Sequence, residues 1–195
     1  DGLRAIAVLA VVLYHIDERL VPGGYVGVDI FFVISGYLIT SILRREMEGG
    51  RFSFRDFYLR RIRRIAPAYF AVTIASLIAG IFLLTGPDLR VLAKSALWSA
   101  VAVPNIHFWL SLDTGYFADA SNQIPLLHLW SLGVEEQYYF IWPALMLLGT
   151  RWVGIRGTTY LLAILTAWSF YYAQQKTASD PSFAYYMLPA RAGEL

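Results

Sequence analysis

The stretch PLLHLWSLGVEEQYYFIWP, residues 125–143, places two adjacent carboxylates at the head of an apolar and aromatic segment that continues to residue 149. The two acids are Glu135 and Glu136, and His128 lies a short turn upstream. Carboxylates are expensive at membrane depth, and those that occur there usually line a pathway or a reactive cavity. The stretch therefore predicts a membrane helix whose acids face a site that other parts of the chain complete.

The composition of the whole chain also favours a membrane setting. Of the 195 residues, 57% are hydrophobic and only 15% are charged, whereas a soluble domain carries charge on about a quarter of its residues. The chain has no cysteine, which excludes thiol catalysis and Cys-ligated metal sites. Its three histidines lack the spacing of metal ligands, so no metal is expected. We predict an all-α, polytopic transmembrane helical bundle without a nucleic-acid partner.

Apolar segments that approach the ~20 residues needed to cross a bilayer recur along the chain. They predict about five complete spans, a re-entrant segment and the start of a further span, in the order 3–20, 23–43, 65–85, 91–110, 130–149, 158–173 and 183–195. The segment 91–110 is ambiguous because Pro104 interrupts it: it either dips into the membrane and returns, or crosses it completely. Pro67 is expected in the first turn of the third span, where proline is tolerated.

The distribution of arginine predicts the orientation of these spans. The loop 44–64 contains eight arginines, which places it, and with it the N-terminus, on the cytoplasmic side by the positive-inside rule. The loop 111–129 contains neither Lys nor Arg, which is typical of an outer loop. The polar segment 174–182 is expected to be a second outer loop.

Four arginines at the foot of the third span have helical i,i+3 and i,i+4 spacing. They are Arg60, Arg61, Arg63 and Arg64. Membrane topology alone explains such a cluster. A phosphate-bearing cytoplasmic ligand would use the same fork-shaped donors, so the cluster is also a candidate binding site.

Further ionisable residues lie inside the first two predicted spans. Arg4 and His15 are eleven residues apart, so at ~100° per residue they share one helix face, about 16 Å apart along the axis. They either snorkel and cap the helix ends, or serve a function, as intramembrane ionisable groups usually do. Asp29 either forms a structural pair with an arginine or a backbone group, or takes part directly in catalysis. Near the end of the chain, Arg191 and Glu194 can pair at i,i+3.

The second predicted span also begins with several glycines. Gly23, Gly24 and Gly27 would let a neighbouring helix or a ligand approach the backbone closely, because they carry no side chain. We therefore expect close packing at the start of this span.

Four motifs in one order resemble the acyltransferase family 3: DGLRAIAVLAVVLYH, GGYVGVDIFFVISGYLIT, FYLRRIRRIAPAYF and PLLHLWSLGVEEQYYFIWP. This family comprises bacterial inner-membrane O-acyltransferases of lipopolysaccharide O-antigen, peptidoglycan and other exported glycans. The similarity extends to PARAGEL, residues 189–195, which is similar to an Arg-x-x-Glu-Leu element of the family. Members typically have about ten spans. The resemblance implies that residues 1–195 are the N-terminal portion of the acyltransferase domain, and that a C-terminal extracytoplasmic domain can follow.

The resemblance also implies the reaction and its participants. The donor would be a cytoplasmic acyl-CoA, usually acetyl-CoA, and the acceptor a sugar hydroxyl outside the membrane. An Arg-(ten residues)-His element of the family is matched by Arg4 and His15, and a Glu-Glu element by Glu135 and Glu136. An Arg-x-x-Arg element has two registers in this chain, namely Arg60 with Arg63 or Arg61 with Arg64.

These residues have expected roles in acyl transfer. His15 would deprotonate the acceptor hydroxyl, or would itself be acylated and pass the group on. Glu135 or Glu136 would orient His15 and stabilise its imidazolium, with Asp29 alongside. Arg4 would contact the carbonyl or the phosphates of the donor, and the lower arginines would hold its nucleotide. The candidates for substrate binding are Trp130, Tyr139 and Arg191, although an interfacial aromatic belt explains the aromatic residues equally well.

Two other classes of protein compete with an acyltransferase. A proton-coupled transporter or flippase would use His15, Asp29 and the glutamates as a proton relay and would need no CoA. A non-catalytic membrane scaffold would tolerate removal of the same charges. The family resemblance makes an O-acyltransferase the expected function.

Overall fold

The computed structural model describes residues 2–112 and 124–195. Across these two ranges the chain is helical and contains no β-strand. The α-helices are α1 (Gly2–Ile16), α2 (Gly27–Glu48), α3 (Phe54–Leu83), α4 (Gly86–Ala100), α5 (Pro104–Ser111), α6 (Leu129–Ser179), α7 (Pro181–Tyr186) and α8 (Leu188–Arg191). Short 3₁₀ turns occupy Gly24–Val26 and Ala192–Glu194. The all-α fold class is confirmed.

Two of these helices are long and apolar enough to cross a membrane. They are α3 and the segment Gly24–Glu48, which contains α2. Helix α1 is apolar but has only 15 residues, and a helix of that length covers about 22 Å, less than the ~30 Å of a hydrocarbon core. The count of five spans therefore stays a prediction.

The first two helices end at different residues from those predicted. The backbone N–H of Arg19 donates to the Asp17 carboxylate at 2.9 Å, and this local turn ends α1 at Ile16 instead of residue 20. Helix α2 continues to Glu48, where Arg44 Nε donates to Glu48 Oε1 at 2.8 Å. Polar side chains thus lie at the C-terminal ends of both helices, so the apolar pattern alone does not predict where these helices end.

The glycines at the start of α2 allow α1 to pack directly against its backbone. A Cβ on Gly24 would lie 2.4 Å from the carbonyl oxygen of Ala10, and one on Gly27 would lie 2.3 Å from that of Ala7. Only a residue without a side chain fits at such distances. The close packing predicted for these glycines is confirmed at Gly24 and Gly27.

Helix α3 begins well before the predicted third span. Ser53 caps it by accepting a hydrogen bond from the backbone N–H of Asp56, and Phe57 is buried within its first turn. The arginine-rich segment is therefore the start of a helix. Pro67 lies inside α3 and not in its first turn, so that prediction is wrong. The cap and the buried aromatic residue extend the helix beyond its apolar part.

Residues 86–111 form two helices separated by a tight turn. Ala102 in this turn has a positive φ of 60°, and Pro104 is the first residue of α5, where its missing N–H has no helical partner to lose. The predicted interruption at Pro104 is confirmed, while a re-entrant path remains a prediction. The predicted outer loop 111–129 includes 113–123, which lie outside the described residues.

Helix α6 is broken at Gly154, whose φ of 69° and ψ of 176° are not helical. A Cβ on Gly149 would lie 3.0 Å from the Thr158 side chain, although residues nine apart in a straight helix are about 13 Å apart. The two arms of α6, 129–153 and 155–179, therefore fold back on each other. The second arm continues to Ser179, so most of the predicted outer loop 174–182 is helical instead.

The segment 183–195 forms short helical turns and not the start of a long span. Its last residue packs on α2, since a Cβ on Gly36 would lie 1.6 Å from the carbonyl oxygen of Leu195. The hydroxyl of Tyr138 donates to this same carbonyl at 3.2 Å. The C-terminal turns thus cover the contact between α2 and the first arm of α6.

Two buried clusters hold the first arm of α6 in place. One joins it to α2, α5 and α7 and contains Phe32, Phe108, Leu127, Trp130, Val134 and Tyr186. The other joins it to α2 and α3 and contains Ile39, Leu43, Phe57, Tyr138, Tyr139 and Met146. This packing fixes the direction in which each glutamate points.

Candidate active site

A cavity of about 320 Å³ lies between α1, α2, α3 and the first arm of α6. We call it the polar cavity, and its charged or titratable lining residues include Arg4, Arg61, Arg64, His128, Glu135 and Tyr139. The sequence predicted four of these charged residues as site residues: Arg4, Arg61, Arg64 and Glu135. The structure therefore brings together the Arg4 motif, the Glu-Glu motif and one of the two possible Arg-x-x-Arg pairs.

Glu135 is buried, with 7% of the residue exposed. Its carboxylate accepts a hydrogen bond from the Tyr139 hydroxyl, one helical turn further along α6. The Arg61 guanidinium lies 4.5 Å from the centroid of the Tyr139 ring, close enough for a cation–π interaction. A buried carboxylate needs such positive charge and hydrogen bonding nearby, so Arg61 and Tyr139 explain how Glu135 is accommodated.

Arg4 approaches the same network from α1. Its Nη2 donates to Ser35 Oγ at 3.2 Å, and Ser35 lies near the Tyr139 side chain. Arg4 and Ser35 therefore belong to the same polar cluster as Tyr139 and Glu135.

Arg4 also has one side-chain donor without a hydrogen-bond partner among the described residues. Only 9% of the residue is exposed, yet its Nε has no hydrogen-bond partner within residues 2–112 and 124–195. Leaving a buried donor unpaired costs about 1–3 kcal/mol, and more for a charged group. An oxygen atom of a ligand would satisfy it.

The two adjacent glutamates face different cavities. Glu136 lines a second cavity of about 680 Å³, which we call the apolar cavity because aliphatic and aromatic side chains make up most of its wall. Beside it, Gln137 Nε2 donates to Asn105 Oδ1 at 2.7 Å. Successive helical residues point about 100° apart, so only Glu135 shares the polar cavity with Arg4.

His15 lies at the exposed end of α1 and does not line the polar cavity. Its Nδ1 is 2.8 Å from the carbonyl oxygen of Val11. A carbonyl can only accept, so Nδ1 carries the hydrogen and, in the neutral ring, Nε2 carries the lone pair. The role of orienting His15, expected for a glutamate, is filled here by the backbone of its own helix.

His128 stands at the rim of the polar cavity, immediately before α6. The protein packed around it, and then the nearby charge of His15, lower the pKa of its imidazole from the ordinary value. One face of the residue remains open to solvent. His128 is therefore a titratable group at the rim of the polar cavity.

Asp29 and Arg191 lie in a separate cluster. Asp29 accepts a hydrogen bond from Arg191 in an ion pair, and Arg191 Nη1 also lies 3.0 Å from Glu194 Oε1. Trp130 packs over this guanidinium in the core, with 2% exposure. The predicted Arg191–Glu194 pair is confirmed, Asp29 has the arginine partner considered for it, and the structure does not bring these residues to the polar cavity.

The four arginines of α3 divide into two pairs. Arg61 and Arg64 line the polar cavity, whereas Arg60 pairs with Glu46 at 2.6 Å on the exposed surface and Arg63 is also exposed. Of the two registers left open by the sequence, Arg61 with Arg64 faces the site.

Two polar residues of this network were missed as site residues from the sequence. His128 is seven residues before Glu135 and so shares its helix face, a signal that could have assigned it to the site. Ser35 gave no signal, because its role depends on the packing of α1 and α6 against α2.

The protein is thus helical throughout the described residues, with a site lined by arginine and carboxylate side chains. Comparison with protein families agrees with the motifs in its sequence. The family model described as an acyltransferase domain matches residues 1–190. The chain belongs to this family, the acyltransferase family 3, as its motifs predicted. Together with its apolar helices, this membership indicates a membrane protein.

Several curated proteins are similar to this chain. The peptidoglycan O-acetyltransferase OatA of Listeria monocytogenes is 39% identical over 202 residues, covering 100% of this chain and 32% of that protein. YrhL of Bacillus subtilis, also named for peptidoglycan O-acetyl transfer, is 38% identical over 199 residues, covering 100% and 31%. A Staphylococcus aureus protein named for O-acetyl transfer is 39% identical over 147 residues, covering 75% and 24%.

The chain spans about a third of the length of the first two relatives. No solved structure matches it.

Proposed function

We propose that this protein transfers an acyl group, acetyl in our proposal, from cytoplasmic acyl-CoA to a hydroxyl of an extracytoplasmic glycan. The observation that carries the proposal is the polar cavity, where Arg4, Glu135 and the pair Arg61 and Arg64 meet. The names of the relatives support O-acetyl transfer, and peptidoglycan is the acceptor that two of those names give. Acyl-CoA is consumed in the reaction and is therefore a substrate.

The arginines supply what the donor requires. Transfer from a thioester develops negative charge on the carbonyl oxygen, which preorganised donors stabilise. The Nε–H of Arg4, which has no partner among the described residues, is such a donor. Arg61 and Arg64 would bind the donor phosphates with their fork-shaped guanidinium groups. Glu135 would hold Tyr139 in place and balance the positive charge of the cavity.

His15 is the proposed base or acyl carrier. Its Nδ1–H bond to Val11 fixes the tautomer, so Nε2 is the ring nitrogen that carries the lone pair. Either Nε2 takes the proton of the acceptor hydroxyl, or it attacks the donor and carries the acyl group. The exposed position of His15 at the end of α1 supports its access to an acceptor.

The proposed location is the bacterial cytoplasmic membrane, crossed several times, with the N-terminus in the cytoplasm. The arginine-rich segment 44–64 supports this orientation. Donor and acceptor would then approach the site from opposite sides of the membrane.

Replacing His15 with alanine is expected to reduce acyl transfer at least about 100-fold, because the principal base or nucleophile is lost. The full-length protein in proteoliposomes would be supplied with radiolabelled acetyl-CoA and soluble peptidoglycan fragments, and labelled glycan would be measured. His107→Ala is the matched control, since His107 stacks on Trp98 away from the polar cavity. Wild-type transfer by the His15 variant would refute its role, and wild-type function without acyl-CoA would favour a transporter.

Replacing Arg64 with alanine is expected to raise KM for acetyl-CoA about tenfold or more, since a hydrogen bond to a charged group contributes about 1.5–3 kcal/mol. Arg60→Ala removes the same charge from the exposed face of α3 and should change KM less than about twofold. Initial rates at varied acetyl-CoA would be compared for the two variants. Equal effects would mean that the cluster acts through topology alone.

A further inference from the structure

The apolar cavity runs along one face of α3. Its lining residues on this helix begin at Tyr58, end at Phe70 and recur every three or four residues, which is the spacing of one helix face. Twelve residues of helix cover about 18 Å, and each leaflet contributes about 15 Å to a ~30 Å hydrocarbon core. The cavity is therefore about as long as the hydrocarbon part of one leaflet.

Two tyrosines bridge α3 to its neighbours at the ends of this cavity. The Tyr58 hydroxyl donates to the carbonyl oxygen of Phe140 on α6 at 2.9 Å, and the Tyr69 hydroxyl donates to that of Ala96 on α4 at 3.1 Å. The two tyrosines are eleven residues apart, which is about 16 Å along α3. Between them the small side chain of Ala66 lines the cavity, so the space there is left unfilled.

The rim of the apolar cavity consists of exposed apolar side chains. They are Ile62 and Phe70 on α3, and Phe140 and Ile141 on α6. Exposed apolar patches mark contact with a membrane or another protein, and α3 is long and apolar enough to cross a membrane. Lipid chains therefore lie alongside this helix and can enter the cavity from the side.

The charges around the apolar cavity suit an amphiphilic ligand. Inside, the charged lining residues are Arg61 and Glu136, which have opposite charges, so a neutral hydrocarbon chain fits better than an ion. Outside, Arg55 lies three residues before Tyr58 and shares its helix face. Arg55 is exposed and has no ion pair among the described residues. Its guanidinium can therefore bind a lipid phosphate.

We propose that the apolar cavity binds one hydrocarbon chain of an anionic phospholipid, and that the phosphate of this lipid binds Arg55. The lipid belongs to the cytoplasmic leaflet, because Arg55 is part of the arginine-rich segment 44–64. The lipid is not a reactant. Since Tyr139 lines both cavities, the bound chain packs against the ring whose hydroxyl donates to Glu135.

Photo-crosslinking tests this site in the full-length protein. The protein would be reconstituted in phosphatidylcholine vesicles with a small proportion of phosphatidylglycerol that carries a diazirine on one acyl chain. Mass spectrometry would locate the labelled residues. Labelling of 58–70 is expected to exceed that of 74–83, further along the same helix, at least about fivefold. Excess unlabelled phosphatidylglycerol should remove most of this difference, whereas extra phosphatidylcholine should not.

Two pairs of substitutions test the chain and the head separately. Ala66→Leu fills the cavity and should lower labelling of 58–70 about tenfold, because overpacking is costly. Ala71→Leu is its control, since Ala71 lies on α3 but lines neither cavity. Arg55→Gln should lower labelling about fivefold, the contribution of one arginine near an anionic surface. Arg63→Gln removes an exposed charge of α3 outside the cavity lining and should change labelling less than about twofold.

Uniform labelling along α3, or labelling that phosphatidylglycerol does not compete away, would overturn the proposal, because both indicate bulk lipid contact only. Unlabelled 58–70 would mean that another segment of the protein fills the cavity. Equal effects of the two alanine substitutions would refute the chain site, and equal effects of the two arginine substitutions would refute the head site. Arg55→Gln changes an exposed side chain and keeps the test decisive if thermal unfolding shows that Ala66→Leu is not folded. The readout is lipid contact, so the outcome does not depend on the proposed function.

Discussion

Replacing Glu135 with glutamine is expected to lower kcat for acyl transfer roughly 100- to 1,000-fold, the range found when a preorganised polar group is removed from an active site. Glutamine has nearly the same shape but no negative charge, so the charges of Arg4 and Arg61 would lose their balance and the Tyr139 hydroxyl would donate only to a neutral amide oxygen. KM for the anionic donor should stay the same or fall. Initial-rate kinetics with labelled acetyl-CoA would measure both constants.

The neighbouring acid provides a matched control. Glu136 lines the apolar cavity, so Glu136→Gln removes the same charge one residue away and should lower kcat less than about tenfold. Two equally small losses would show that the acids serve only the helix dipole and topology. Two equally large losses would mean that the site includes both cavities.

Replacing Gly27 with alanine is expected to destabilise the protein by about 1–3 kcal/mol, the usual cost of overpacking. Helix propensity alone predicts the opposite sign, since alanine is favoured over glycine by up to about 1 kcal/mol in a helix, and Gly27 has ordinary helical φ and ψ of −56° and −27°. The difference arises because a Cβ there would lie 2.3 Å from the Ala7 carbonyl oxygen of α1.

Gly86→Ala lacks the interhelical clash, because no atom beyond its chain neighbours and its own helix lies within 4 Å of a Cβ at that position. Thermal unfolding of both variants in detergent would measure the effect of the clash, with Gly27→Ala melting well below both wild type and Gly86→Ala. Acyl transfer by Gly27→Ala should also fall, since moving α1 moves Arg4 away from Ser35. A stabilised Gly27→Ala variant would mean that α1 and α2 are not in close contact.

The sequence indicated which kinds of residue form the site but not how they are arranged. The apolar pattern predicted an all-helical fold, and the family resemblance predicted that Arg4 and one of the two adjacent acids share a site. It did not distinguish Glu135 from Glu136, or Arg61 with Arg64 from Arg60 with Arg63. Those choices depend on the rotation of α3 and α6 about their axes, which buried clusters determine.

Helix limits were predicted least well where polar side chains override hydropathy. Asp17 shortens α1, and Ser53 starts α3 before its apolar part. The cap at Ser53 is also the reason that Pro67 is inside a helix. The sequence signal of His128 was present in its spacing from Glu135, but its place beside Arg4 and Arg64 on the cavity lining follows only from the folded chain.

Arg61 and Tyr139 are among the residues that line both cavities, together with Ile65, Tyr69, Leu129 and Leu132. The Tyr139 ring and the Arg61 guanidinium stacked on it at 4.5 Å are thus part of the boundary between a charged compartment and a larger apolar one. A substitution at either position acts on both compartments at once, whereas substitutions at the two glutamates act on one each. Substitutions at Glu135 and Glu136 can therefore change one compartment without changing the other.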